Sequence, residues 1–177
     1  MSSAHAVSLL LSASLAAAPP EPPELSAIRA RYQRVLDATK EGDPVDSARW
    51  SPLKDGQETG LELYGADLAQ DDGDRKQLAF ARVQTQWSNL GKHKAEYLYG
   101  PDGELTFFYA AGDKGAGNAV ELRLYFVKGA LTRVMEKKKV LDAPTAKHQV
   151  AAERAQKEAR RLAALFRELQ ATVYEVP

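Results

Sequence analysis

Side chains able to do covalent chemistry are sparse in this chain. It contains no cysteine, which removes thiol nucleophiles, thiolate metal sites, iron–sulfur clusters and disulfides together. Beyond the first eighteen residues the serines are Ser26, Ser47, Ser51 and Ser88, and none sits in a G-x-S-x-G elbow. His93 and His148 have no metal-ligand spacing such as H-E-x-x-H. The acidic run Asp71-Asp72-Gly73-Asp74 fails as a calcium loop: with Gly73 as the loop glycine, the first ligand position is Leu68 and the last Ala79. A solvated turn is the expectation there. Gly112, Gly115 and Gly117 lack a following lysine and lie between strands, so they do not cradle a phosphate. Carboxylates are plentiful, but Glu96 and Glu121 are expected on different sheet faces. No catalytic residue, no metal ligand and no cofactor is expected.

Binding chemistry is better represented. Tyr97, Tyr99, Phe107, Tyr109, Arg123, Tyr125 and Arg133 are expected to share one face of a sheet. Tyrosine and arginine are enriched in binding hot spots, and a guanidinium over a ring adds cation–π attraction. Arg123 is expected directly opposite Arg133, which is unfavourable unless an acid lies between them. Glu121 is the internal candidate for that acid; an anionic partner is the external one. The plainer alternative is that tyrosine and phenylalanine simply make good strands.

Two hairpins of one pattern position these residues. They are KAEYLYGPDGELTFFYA (94–110) and VELRLYFVKGALTRVME (120–136). Aligning Gly103 with Gly129 superposes Tyr99 on Tyr125, Leu105 on Leu131 and Thr106 on Thr132. Gly100-Pro101-Asp102-Gly103 reads as a type I turn closed by a left-handed glycine, and Val127-Lys128-Gly129 is expected to match it. The resulting pairs are Tyr99 with Leu105, Tyr97 with Phe107, Ala95 with Tyr109, Tyr125 with Leu131, Arg123 with Arg133 and Glu121 with Met135. Leu98, Phe108, Val120, Leu122, Leu124 and Val134 fall on the opposite, apolar face. On this register, truncating Leu124 costs more stability than truncating Tyr125. A one-residue slip exchanges the faces.

The flanking segments are helical. Leu25, Ile28, Tyr32, Val35 and Leu36 recur at helical steps before Gly42, Asp43 and Pro44 stop the helix. Residues 45–59 read as loop, with Trp50 as an anchor, and residues 61–68 and 76–87 as strands. Lysines at 137–139 guard a sheet edge. A long helix capped by Asp142 or Thr145 runs to about Ala171, with the stripe Ala155, Ala159, Leu162, Phe166, Leu169 and Val173. Glu153 with Lys157 and Arg154 with Glu158 are expected ion pairs. The fold class is α+β: one antiparallel β-meander of five or six strands, an N-terminal helix and a long C-terminal helix. The apolar face is expected to receive the helices, leaving the aromatic face free.

Formal net charge is zero, with 24 basic and 24 acidic residues, so nothing points to nucleic acid or an anionic membrane. Residues 7–18 are apolar and small, too short to span a membrane, and end in Ala16-Ala17-Ala18. Residues 1–18 are therefore expected to be a cleaved signal peptide. Residues 19–24 form a proline-rich spacer and residues 25–177 a single domain. The expected location is exported, periplasmic or extracellular, with no membrane span.

Glu96-Tyr97-Leu98-Tyr99…Gly103-Glu104-Leu105-Thr106-Phe107, followed by Arg123-Leu124-Tyr125-Phe126…Gly129-Ala130-Leu131-Thr132-Arg133, resembles a family of exported bacterial β-meander proteins with no assigned function. The resemblance spans about residues 28–141 and implies an envelope location. It carries over no catalytic residue. The leading expectation is a non-enzymatic exported domain that binds an envelope protein or glycan through the aromatic face. The alternatives are a carrier of small ligands or amphiphiles with an aromatic-lined cleft, and an envelope enzyme using carboxylates that the sequence leaves unpaired. A flat exposed aromatic face favours the first, an apolar pocket the second, and two converging carboxylates the third.

Overall fold

The computed structural model describes residues 22–41, 46–50, 57–65, 77–87, 91–113, 119–141 and 143–174. The expected signal peptide, the acidic turn at 71–74 and Asp142 lie outside them. The chain forms α1 (Pro23–Glu41), then β1 (Asp46–Trp50), β2 (Gln57–Gly65), β3 (Leu78–Trp87), β4 (Gly91–Tyr99), β5 (Leu105–Asp113), β6 (Ala119–Val127), β7 (Ala130–Glu136) and β8 (Lys139–Val140). It closes with α2 (Ala146–Tyr174). The strands make one antiparallel meander in sequence order. The α+β class and both helices are as expected, but the sheet is larger. Seven strands have five residues or more, and β8 adds a two-residue edge. β1 escapes sequence reading because Asp-Ser-Ala-Arg-Trp has no apolar alternation. It joins the sheet through backbone pairing with β2, from Asp46 opposite Leu63 to Trp50 opposite Thr59.

The helices begin as proline and threonine dictate. Pro23 opens α1 inside the segment expected to be extended, since a first-turn proline has no N–H to lose. The Pro22 carbonyl accepts the first two amides, from Leu25 at 3.0 Å and Ser26 at 3.2 Å. Thr145 caps α2: its carbonyl accepts the amides of His148 and Gln149. Its own N–H donates to His148 Nδ1 at 2.9 Å, the reciprocal arrangement of a capping box with histidine in the usual glutamate position.

The first hairpin turn is as expected. Gly103 N–H donates to the Gly100 carbonyl at 2.9 Å, Gly100 N–H to the Glu104 carbonyl at 2.8 Å, and Gly103 has φ +77°. The second differs: Val127 pairs with Ala130 across two residues, Lys128 and Gly129, both at positive φ (50° and 74°). Each hairpin then carries a bulge the sequence pattern conceals. Thr106 is extra between the pairs Tyr99–Leu105 and Leu98–Phe107, and Thr132 between Phe126–Leu131 and Tyr125–Arg133. Both threonines mark the spot chemically. Thr106 Oγ1 donates to the Leu98 carbonyl and Thr132 Oγ1 to the Tyr125 carbonyl, each at 3.1 Å.

Each bulge shifts the remaining register by one, and a shift by one turns residues to the other face. Tyr97 pairs with Phe108 rather than Phe107 and Ala95 with Ala110 rather than Tyr109; in the second hairpin the two-residue turn adds one more step, so Arg123 pairs with Met135, two residues beyond Arg133. Both faces are therefore apolar near one end of the strands, and each receives one helix. On one face α2 lays Ala152, Ala155, Ala159, Leu162 and Phe166 over Leu63, Ala81, Tyr97, Phe108, Leu124 and Val134. On the other, α1 lays Leu25, Ile28 and Val35 over Tyr64, Phe80, Leu98, Phe107 and Tyr125. The expectation that both helices share one face is overturned: the core has two halves, with the sheet between them.

Candidate functional site

The seven residues expected to form one aromatic face are divided by the sheet. Tyr97 and Tyr99 lie under α2, 6% and 1% exposed. Phe107, Tyr109, Arg123, Tyr125 and Arg133 belong to the α1 face, by their register with Leu98, Glu96, Met135 and one another. Most of the rings are core. Phe107 lies between Tyr32 (centroids 4.6 Å) and Tyr125 (4.9 Å). Tyr125 is buried beneath Arg29, whose guanidinium sits 5.6 Å from its ring centroid. Its burial contradicts the expectation that it is the more expendable neighbour of Leu124. Tyr109 is half-buried, flanked by Lys94 at 5.0 Å and Arg123 at 5.4 Å from its ring. Glu121 supplies the acid that Arg123 needs, and Arg123 Nη1 also donates to the Lys137 carbonyl at 3.0 Å.

Beside the aromatic row of the α1 face runs a transverse row of alternating charge. Glu62, Arg82, Glu96, Tyr109 and Arg123 are consecutive cross-strand partners from β2 to β6. Arg82 bridges two carboxylates, Glu62 at 2.8 Å and Glu96 at 2.9 Å. Glu96 is fully buried and also accepts from Lys94 Nζ at 3.1 Å and from the Tyr32 hydroxyl. Burial first, then the hydrogen bond and charge of Glu96, push the Tyr32 phenol far above its ordinary value. For Arg82 burial acts to lower the pKa, and the bonds and charges of Glu96 and Glu62 outweigh it and raise it. The oxygens of Glu96 are thus committed to three donors. This row ties α1 to the sheet through Tyr32. Glu96 and Glu121 share this face, contrary to the expected register, with Tyr109 and Arg123 between their positions.

The α2 face is built differently. The alanines of α2 bring it close enough for the Tyr99 hydroxyl to donate to the Ala159 carbonyl at 2.8 Å. The helix covers only part of the sheet. Next to the buried row lie Leu61, Val83, Ala95, Ala110 and Leu122, all partly exposed. Between α2 and the strands an open trough of about 620 Å³ has Tyr97 and Phe108 as its floor and Ala151, Ala155, Arg154, Lys157, Glu158 and Arg161 as its helical wall. A hollow of about 240 Å³ continues it over Val83, Ala95 and Ala110 to His93, Gly112 and Val120. Tyr97–Phe108, Ala95–Ala110 and His93–Gly112 are successive pairs on this face, giving about 14 Å of continuous floor. Glycine at 112 makes room for the His93 ring at that end: a Cβ there would lie 2.2 Å from His93 Nδ1, so any other residue would have to displace the ring. The phenol of Tyr97 is pushed up to about 12 by burial and by the charge of Glu158, with Arg161 opposing. On the wall, Glu158 pairs with Arg161 at 2.6 Å rather than with Arg154. Nor, among the described residues, does Lys157 pair with Glu153.

On the far flank of α2 a third hollow of about 350 Å³ lies among Gln77, Tyr99, Glu104, Gln156, Arg160 and Arg167. Among the described residues no cluster of three or more metal-ligating side chains occurs, and no helix is long and apolar enough to cross a membrane. Sequence reading missed the trough because it arises from what α2 leaves uncovered. Its one legible sign was the run of small residues in the first half of α2, which sets the helix close to the sheet. No protein-family model, curated protein or solved structure matches the chain.

Proposed function

We propose that this chain is an exported, non-enzymatic binding domain that holds an elongated apolar ligand in the trough between α2 and strands β4–β5. The observation that carries the reading is the uncovered apolar row, Leu61, Val83, Ala95, Ala110 and Leu122, continuous with a trough of about 620 Å³ floored by Tyr97 and Phe108. That size falls in the range of about 300–1,000 Å³ common for small-molecule sites. Exposed contiguous apolar surface beside a concavity is the usual mark of a ligand groove. The other two readings have less support. The aromatic rings that were to grip a partner are mostly spent on the two cores. Glu62 and Glu96 do converge, but on Arg82, which neutralises both.

The test fills the trough. Ala110 is half-buried on the floor of the hollow next to the trough, one pair along from Tyr97–Phe108, and Ala110→Trp places an indole there without removing any hydrogen bond. Calorimetric titration with dodecanoate, below its micellar concentration, is expected to show binding to the wild type. The variant, with an unchanged melting temperature, is expected to bind at least about tenfold more weakly, a loss of about 1.4 kcal/mol. Equal affinity of both proteins contradicts the reading.

A further inference from the structure

We infer that the trough selects an anionic, single-chain amphiphile, whose head group is held by Arg154 and Lys157 on the wall of α2; the inference rests on the trough reading above. Three cations line the helical wall, Arg154, Lys157 and Arg161, against one carboxylate, Glu158. Arg161 holds both oxygens of that carboxylate, through Nη2 at 2.6 Å and Nε at 3.0 Å. Among the described residues Arg154 and Lys157 have no acidic partner. The wall therefore carries two uncompensated positive charges above an apolar floor. This is charge complementarity to a molecule with one apolar and one anionic end. Their exposed heads can meet an anion in solvent while their methylene stems border the apolar floor. A guanidinium offers a carboxylate two parallel hydrogen bonds, and an ammonium three residues further along the same helix adds a point charge.

The orientation follows from the chain. The cations stand at the Tyr97–Phe108 end, beside α2, and the small residues Ala95 and Ala110 lead away from them towards His93 and Gly112. A head group at α2 places the tail over the small side chains of the alanine pair. Glu158, the one acid among the residues lining this wall, is held by Arg161, and Glu136, opposite Leu122, is bound by Lys147 at 2.8 Å and His148 at 3.0 Å. A cationic head therefore meets two cations rather than a free acid on this wall.

The experiment compares heads on one tail. Dodecanoate, dodecyl maltoside and dodecyltrimethylammonium, each below its micellar concentration, are titrated into the full chain and into Arg154→Gln/Lys157→Gln. Glutamine keeps helix propensity at both exposed sites, and thermal melting followed by circular dichroism verifies the fold. The wild type is expected to prefer dodecanoate over dodecyltrimethylammonium by roughly threefold or more, since two exposed cations attract the carboxylate and repel the ammonium. That preference is expected to weaken with added salt and to vanish in the double variant, while dodecyl maltoside binds both proteins alike. If all three bind the wild type equally and the double variant changes nothing, the head-group inference falls and the trough reading stands. If none binds, or if the chain dimerises and excludes all three, the trough reading falls with it.

Discussion

The two faces of the sheet solve the same problem in opposite ways. Under α1, large rings fill the space: Tyr64, Phe80, Phe107 and Tyr125 pack beneath Ile28 and Val35. The row beyond them is made polar and is closed by the Glu62–Arg82–Glu96 bridge. Under α2, small residues bring the helix close, and the row beyond remains apolar and open. A face that ends in satisfied charge needs nothing more, whereas a face that ends in alanine, valine and leucine has surface left for a ligand. On the proposed function, the α1 side is structural and the α2 side is the one that binds.

Four experiments can break that comparison. The largest effect is expected at Glu96. Glu96→Ala leaves Arg82 and Tyr32 without their buried acceptor and should lower stability by about 3–5 kcal/mol, read from denaturant midpoints. A loss under about 1 kcal/mol would mean the charged row does not seal the α1 face.

Next come the paired neighbours on β6. Leu124 faces α2 and Tyr125 faces α1, 0% and 3% exposed. Each truncation to alanine should cost about 2–5 kcal/mol. Under the unbulged register only Leu124 is core, so a small loss for Tyr125→Ala would restore that register.

The third effect appears only in alkali. Tyr97 holds its proton to about 12 against 10.0 when unfolded, and burial raises Tyr99 and Tyr32 further. These phenols stay protonated in the native state while the unfolded chain begins to ionise. Their stabilisation is complete below pH 10 and is lost as pH rises towards and beyond 12. Tyrosinate absorbance should therefore lag behind that of free tyrosine and rise mainly together with unfolding. A single smooth titration near pH 10 in a folded protein would contradict their burial.

The smallest effects are expected at the bulges. Thr106→Val and Thr132→Val each remove one hydroxyl donor, at about 0.5–1.5 kcal/mol apiece. Equal losses would support one shared device in both hairpins; no loss at either would remove the hydroxyl from the account of the register.

The helices, the hairpins and the Gly100–Gly103 turn were legible because each follows from local chemistry: periodic stripes, a proline before an aspartate, a left-handed glycine. The bulges were not, because an inserted threonine leaves no trace in Leu-Thr-Phe-Phe-Tyr, where rings at consecutive positions suit either face. The same run reflects a sheet buried on both sides, which erases the polar–apolar alternation that fixes a register. Of the expected site, Tyr97 lies in the trough and Tyr109 with Arg123 stays half-exposed on the other face. Phe107, Tyr125 and Tyr99 are core. The cations of α2 read as a solvated helix face, and only the place of α2 on the sheet turns Arg154 and Lys157 towards an apolar floor.

The most direct measurement of where binding lies is a methyl NMR titration of alanine-labelled protein with dodecanoate. Ala95, Ala110, Ala151 and Ala155 line the trough, whereas Ala79 is buried in the α1 half of the core. The two-face account predicts that the four trough methyls shift together and saturate while Ala79 stays in place. Saturating binding that moves Ala79 and leaves the trough methyls unmoved would contradict it.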